Sequence, residues 1–131
     1  MILADTSAWI DFLRGKDTPA ATALDRAAGS DALLMGDLIM VELLQGYRAG
    51  RALTELKNDL RLFPVVTLCG PSLAMTAADN YRLLRSKGVT VRGTIDVIIA
   101  TWCVANEVPL IHADRDFDSM EKWLGLRRWT G

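Results

Sequence analysis

Four acidic residues of this chain stand beside apolar segments that a folded domain would bury. Asp5 and Asp114 each follow an apolar run, and Asp96 opens a third. Glu42 stands among leucine, isoleucine and valine residues. Burying a carboxylate costs free energy unless a cation meets it. If the fold brings the four acids together, the cation that this pattern indicates is a divalent metal ion.

Taken one at a time, the same acids have structural explanations. Asp5 and Asp114 could accept hydrogen bonds from free amides as turn or helix-capping residues. Asp96 falls in a predicted first helical turn, where the helix dipole favours a negative charge. Glu42 lies on a helix face that is expected to pack inward, and a solvated surface glutamate is the alternative there.

Apolar runs alternate with segments of helical periodicity along the chain. The predicted strands are 1–5, 33–35, 65–68 and 110–112, with a final edge strand at 126–129. The predicted helices are 6–13, 18–28, 37–47, 51–62, 72–86, 94–105 and 117–124, with Thr6 or Ser7 capping the first and Asp37 the third. Strands separated by helices predict an α/β fold with three layers, αβα, around a central parallel sheet of four to five strands.

Such a sheet would gather the acids at one edge. All parallel strands deliver their carboxyl ends to that edge, which places Asp5 and Asp114 there, and helices that begin there bring in Asp96 and Glu42. Ligation by oxygen alone favours Mg²⁺ or Mn²⁺ over zinc. One or two such ions are typical of phosphodiester cleavage, in which two-metal sites hold ions about 3.5–4 Å apart.

Composition limits the class of protein. The chain has 131 residues, half of them hydrophobic, which predicts a single domain over residues 1–131. No segment has the apolar length of a membrane span and no signal-peptide pattern is present, so a cytoplasmic location is expected. A net charge of −1 argues against a general nucleic-acid coat protein, although neutralising the four acids leaves +3 on the remainder. Cys69 and Cys103 are predicted to be buried thiols rather than a disulfide or zinc site.

Four short motifs resemble those of PIN-domain ribonucleases, specifically the VapC-type toxins of bacterial toxin–antitoxin pairs. They are Ile2-Leu3-Ala4-Asp5-Thr6-Ser7, Met40-Val41-Glu42-Leu43, Thr94-Ile95-Asp96-Val97-Ile98-Ile99-Ala100 and Leu110-Ile111-His112-Ala113-Asp114-Arg115-Asp116-Phe117. Each motif is short, but the ordered set covers the whole chain. The resemblance implies one PIN-like domain over residues 1–131.

The resemblance also implies roles for individual residues. It matches Asp5, Glu42, Asp96 and Asp114 to the family's catalytic, metal-binding acids, with Asp116 as a further metal ligand. It places the hydroxyls of Thr6 and Ser7 near the metal, where they would hold a metal-bound water. Thr94 is expected behind the ligands, and it departs from the family pattern because many relatives carry another small or polar residue there. It implies an endoribonuclease that uses one or two Mg²⁺ or Mn²⁺ ions and hydrolyses RNA phosphodiester bonds with a water activated by Mg²⁺. It further implies a homodimer that a cognate VapB-type antitoxin inhibits.

RNA must reach an acidic site, so cations near it are expected to guide the backbone. The candidates are Arg48, Arg51, Arg82, Arg85, Lys87, Arg92 and Arg115. Arg82 and Arg85 lie one helical turn apart, and Arg115, between two site acids, is expected near a phosphate or one of those acids. The alternative for each is an ordinary solvated helix face.

Several aromatic residues have structural explanations. His112 is predicted to have a structural role rather than to bind metal. The stripe Trp9, Phe12 and Leu13 is predicted to be core, and the alternative is a groove for an antitoxin segment. Trp102 is predicted to pack inside. Trp123 and Trp129 could cover a sheet edge or a dimer surface.

Other functions stay open at this point. One alternative is a PIN-fold nuclease that acts on DNA or a flap structure, and another is a PIN-fold binding subunit without a working site. A non-catalytic, receiver-like signalling module with a Mg²⁺ pocket would need an acceptor aspartate after the third strand. The residues there are Thr67-Leu68-Cys69-Gly70, so the sequence disfavours it.

Overall fold

The computed structural model describes the whole chain, Met1–Gly131. In chain order its elements are β1 (Ile2–Ala4), α1 (Thr6–Leu13), α2 (Pro19–Gly29), β2 (Leu33–Gly36), α3 (Asp37–Leu44), α4 (Arg51–Leu60), β3 (Val65–Val66), α5 (Pro71–Ser86), α6 (Thr94–Ala105), β4 (Leu110–Ile111) and α7 (Asp116–Leu124).

The strands form one parallel sheet in the order β3-β2-β1-β4. Leu3, in the middle of β1, pairs with Leu34 on one side and Leu110 on the other. The predicted parallel α/β fold is therefore confirmed, with four strands. The expected edge strand at 126–129 is reduced to a single parallel bridge between Arg128 and Leu110.

Helices in two groups enclose the sheet. The helices α1 to α4 contact one another in one group, and α5, α6 and α7 form the other. Every residue of β1 and β2 is buried, as expected for parallel strands covered on both faces. Half of the residues of α6 are buried, and Trp102 is among them, which confirms its predicted packing inside.

The apolar stripe of α1 is only partly core. Trp9 is buried and packs edge-on against Phe12 and Phe63, but Leu13 is exposed, so the prediction was wrong for Leu13. Both cysteines are free thiols. Cys103 is buried as predicted, and burial raises the pKa of its thiol to about 12, whereas Cys69 is only half-buried. No helix has both the length and the apolar character needed to span a membrane.

Two helix caps and one strand differ from the sequence prediction. Asp5, not Thr6 or Ser7, caps α1, and Gly36, not Asp37, precedes α3. The Oδ1 atom of Asp37 instead accepts the N–H of Leu68 at 3.0 Å. The strand β3 ends at Val66 instead of continuing to Leu68, because its partner β2 ends at Gly36, opposite Val66, where α3 begins.

The third helix is also shorter than expected. It ends at Leu44 instead of Tyr47, and the amides of Gly46 and Tyr47 bond to carbonyls three residues back. This tighter turn closes the helix.

Candidate active site

The carboxyl edge of the sheet collects acids from several elements. Asp5 follows β1, and its N–H donates to the Ile111 carbonyl at 2.9 Å, which extends the pairing of β1 with β4. Asp114 follows β4, and Asp116 begins α7. Asp96 lies in the first turn of α6, so the start of that helix faces the same edge.

Asp5 is the most deeply buried of these acids, with 3% of its surface exposed. Its Oδ2 atom accepts hydrogen bonds from the N–H of Ser7 at 2.9 Å and the hydroxyl of Ser7 at 2.6 Å. Its Oδ1 atom is buried with no hydrogen-bond partner. Burial raises the pKa of Asp5, and a buried unpaired carboxylate oxygen is a group that a cation would satisfy.

Ser7 connects two strand ends at this edge. While its hydroxyl donates to Asp5, its Oγ atom accepts the N–H of Ala113 at 3.0 Å. The hydroxyl thereby fixes the Asp5 carboxylate relative to the segment that carries Asp114.

A second set of acids is close-packed. Asp96, Asp114 and Asp116 each bring a carboxylate oxygen within 4.8 Å of the others. Burial, followed by the charges of Asp5 and Asp114, raises the pKa of Asp96 to about 7. Like charges at this separation disfavour full ionisation unless a cation is shared. The Oδ1 atom of Asp114 also accepts the N–H of Asp116 at 2.9 Å, which fixes the turn into α7.

Glu42 is half-buried and, like Asp5, lies outside this close group. Thr6 donates its hydroxyl hydrogen to the Oε1 atom of Glu42 at 2.6 Å, which ties α3 to the start of α1. The charge of Glu42 contributes to the raised pKa of both Asp5 and Asp96, so it acts on the same site. Thr94 is exposed at the first position of α6, and its hydroxyl makes no hydrogen bond.

The donor set fits a divalent cation. The close group offers only carboxylate oxygens, and burial together with the neighbouring acids brings the pKa of Asp96 to about 7. The charge of Asp5 contributes to that shift, and its own Oδ1 atom is buried and unpaired. Oxygen-only ligation suits a hard ion such as Mg²⁺ or Mn²⁺. The sequence ranked Asp116 behind the other four acids, but here it belongs to the closest group. The sequence feature that indicates Asp116 is its place in the first turn of a helix, two residues after Asp114.

The predicted RNA-binding arginines are all exposed, and one contacts the site. The Nε atom of Arg92 lies 3.8 Å from Asp116 Oδ1. Arg115 occupies the N-cap of α7, is exposed to solvent and forms no ion pair with a site acid, and its predicted place near a phosphate stays a prediction. Arg82 pairs with Asp79.

Two other arginines form no ion pair with the site acids. The guanidinium of Arg85 lies 6.0 Å from the centre of the Tyr81 ring. Arg48 is exposed and makes no ion pair.

His112 follows β4 and is buried, with its ring 4.9 Å from that of Phe117. Burial and the charge of Arg128 lower its pKa. Its ring is not in the close group of acids.

Comparison with known proteins identifies the family. The PIN domain model matches residues 2–122. The VapC ribonuclease Mb1587 of Mycobacterium bovis and the ribonuclease VapC11 of Mycobacterium tuberculosis are each 30% identical to the chain over 129 residues, covering 97% of this chain and 96% of theirs. The chain is a PIN-domain protein of the VapC family.

Solved structures share the fold of this PIN domain. VapBC2 of Rickettsia felis, bound to a DNA fragment from its promoter, superposes with a TM-score of 0.74 at 15% identity, covering 98% of both chains. FitAcB of Neisseria gonorrhoeae gives a TM-score of 0.73 at 19% identity over 98% of this chain and 96% of its own. DNA-bound VapBC of Salmonella typhimurium gives 0.72 at 18% identity, again over 98% of both chains.

Proposed function

We propose that this PIN domain is a metal-dependent endoribonuclease and the toxin of a type II toxin–antitoxin pair. The observation that carries the proposal is the group of carboxylates at the sheet edge, with the buried, unpaired Oδ1 atom of Asp5 beside them. Its relatives at 30% identity are named ribonucleases. The substrate class is RNA, and the bond hydrolysed is the phosphodiester.

The metal ligands in this proposal are the acids at the sheet edge. Asp5, Asp96 and Asp114 would hold the ion, with Asp116 and Glu42 as further ligands. The ion is Mg²⁺ or Mn²⁺, as one or two per chain. When bound, such an ion lowers the pKa of water and stabilises negative charge on the phosphate.

The chain's own residues prepare the site for that chemistry. Burial and the neighbouring acids raise the pKa of Asp96 to about 7, so this carboxyl group would lose its proton on binding a cation, and binding would depend on pH. Ser7 holds the carboxylate of Asp5, and Thr6 holds that of Glu42, so both acids are oriented before a cation arrives. Thr94, at the start of α6, is proposed to act beside the metal.

RNA is proposed to approach along exposed guanidinium groups. Arg92 is the only arginine within 4.0 Å of a site acid, so it is best placed for a phosphate next to the scissile one. The other proposed RNA contacts are Arg48, Arg82, Arg85 and Arg115. Guanidinium groups suit phosphate because they donate two parallel hydrogen bonds.

The proposed protein partner is a VapB-type antitoxin. The solved structures that share this fold include VapBC assemblies. A cavity of 160 Å³ between α1 and α3 offers a surface for such a segment, and it is lined by Ile10, Leu13, Arg14, Glu42, Leu43, Gly46 and Tyr47. A segment bound there would lie against Glu42 and so obstruct the site. We also propose that two copies of this chain form a homodimer.

The function is tested with purified protein and RNA. We expect cleavage with Mg²⁺, none with EDTA, and none in Asp96→Asn or Asp5→Asn, while Asp25→Asn, an exposed helical aspartate, cleaves normally. Single-stranded DNA of the same sequence provides the competing substrate. Metal-independent cleavage, full activity in Asp96→Asn, or cleavage of DNA alone would each refute the proposal.

A further inference from the structure

A second group of potential ligands lies on the other side of α7. His112, Asp118 and Glu121 each bring a ligand atom within 4.8 Å of the others. Asp118 and Glu121 are three residues apart on α7 and share a face, whereas Asp116 is about 200° around the helix from Asp118. The two groups therefore use different faces of α7.

The imidazole of His112 is a buried polar group of this second set whose hydrogen-bonding capacity is unused. The residue is 7% exposed, and neither ring nitrogen has a hydrogen-bond partner. Its Nε2 atom faces the Oε1 atom of Glu121 at 3.6 Å, too far for a hydrogen bond. Two ligands at ~2.0–2.1 Å from a tetrahedral metal ion lie ~3.3 Å apart, close to that separation. The geometry is thus closer to that of a shared ion than to that of a hydrogen bond.

The guanidinium of Arg128 already forms ion pairs with both carboxylates. Arg128 places Nε 2.9 Å from Glu121 and Nη2 2.5 Å from Asp118. These bonds leave both nitrogens of His112 unpaired. The backbone of this segment is held separately, because Trp129 donates its N–H to the Leu110 carbonyl at 2.9 Å. The guanidinium, whose side chain is 43% exposed, can therefore leave without unfolding the segment.

We propose that His112, Asp118 and Glu121 form a binding site for a first-row transition-metal dication such as Zn²⁺, which Arg128 fills in the metal-free protein. One imidazole with two carboxylates suits Zn²⁺ and does not suit Mg²⁺, which prefers oxygen ligands and retains its water. Three protein ligands leave a fourth position for water. The site does not depend on the ribonuclease proposal.

The test is a titration of the protein with Zn²⁺ in competition with a chromophoric chelator and in excess Mg²⁺. All proteins carry Asp96→Asn, which weakens Zn²⁺ binding by the carboxylates at the sheet edge. We expect one Zn²⁺ per chain and, with Co²⁺, visible absorption from a four-coordinate ion. Glu121→Gln should weaken binding by roughly tenfold or more. Arg128→Gln should strengthen it by roughly tenfold to a hundredfold, because two hydrogen bonds to charged groups are lost and each has a free energy on the order of one decade in affinity.

The matched control is Glu55→Gln. Glu55 also pairs with an arginine on a helix surface, with Arg51 Nε 3.0 Å from Oε1, but it belongs to no group of potential ligands. Its Zn²⁺ affinity should equal that of the background. Equal affinities in Glu121→Gln and Glu55→Gln, or no Zn²⁺ bound even by Arg128→Gln, would overturn the proposal. Glu121 is only partly buried, so we expect Glu121→Gln to fold. Circular dichroism checks this, so that a loss of Zn²⁺ binding can be assigned to the missing carboxylate.

Discussion

Replacing Asp96 with Asn should stabilise the metal-free protein. Its pKa of about 7 lies above the ordinary value of 3.8, because burial and the neighbouring acids oppose its charge. As pH rises from about 4 to 7, the unfolded chain loses this proton before the folded one does. The free energy of unfolding therefore falls across that interval. Asn carries no charge at any of these pH values and removes the penalty.

The size of the effect follows from the shift. A rise from 3.8 to about 7 corresponds to about 4 kcal/mol at full burial, at ~1.36 kcal/mol per pKa unit. Asp96 is only half-buried, and solvent screening reduces this to about 2 kcal/mol. For a domain of this size, that stabilisation raises Tm by roughly 5–10 °C.

The assay is thermal and urea unfolding of both proteins at pH 4 and pH 8 in EDTA. We expect nearly equal stabilities at pH 4 and a more stable Asp96→Asn at pH 8, while the exposed control Asp25→Asn changes little at either pH. Mg²⁺ should then stabilise the wild type more than the variant, since ligand binding to the folded state adds RT ln(1 + [L]/Kd). A variant that is less stable than the wild type at pH 8 in EDTA, or a difference independent of pH, would refute the electrostatic reasoning.

Three further variants test other parts of the structure. Ser7→Ala should lower the free energy of unfolding by about 1–2 kcal/mol, measured in urea, because two hydrogen bonds at the strand ends are lost; Ser86→Ala, which loses one local exposed bond, should change little. Gly36→Ala should cost about 1–3 kcal/mol, since its Cβ would lie 2.5 Å from a buried leucine. Gly29→Ala has open space, and equal Tm values for the two glycine variants would contradict the steric argument. Arg92→Glu should weaken RNA binding and reduce its salt dependence by about one unit of log–log slope in a filter-binding assay; an unchanged slope would remove it from the RNA path.

The sheet and its acidic edge could be predicted from the sequence because both depend on local patterns. Apolar runs between helical segments indicate parallel strands, and such strands end at one edge, so Asp5 and Asp114 had to lie near each other. Asp96 could be predicted at the same edge because α6 begins there and Asp96 lies in its first turn.

Contacts between distant elements could not be predicted in this way. The hydrogen bond from Thr6 to Glu42 depends on how α1 and α3 pack, which no local pattern encodes. The shortening of β3 depends on its pairing with β2, which ends at Gly36 where α3 begins. The surroundings of His112 depend on the C-terminal segment returning beside β4 to deliver Arg128.

The most direct test of the carboxylate site is anomalous diffraction from crystals soaked in Mn²⁺. We predict a Mn²⁺ peak coordinated by Asp5, Asp96 and Asp114 at the carboxyl edge of the sheet, which is absent from crystals of Asp96→Asn. Mn²⁺ found only between His112, Asp118 and Glu121, or no ordered ion at the edge, would show that the carboxylates at the sheet edge do not form the metal site.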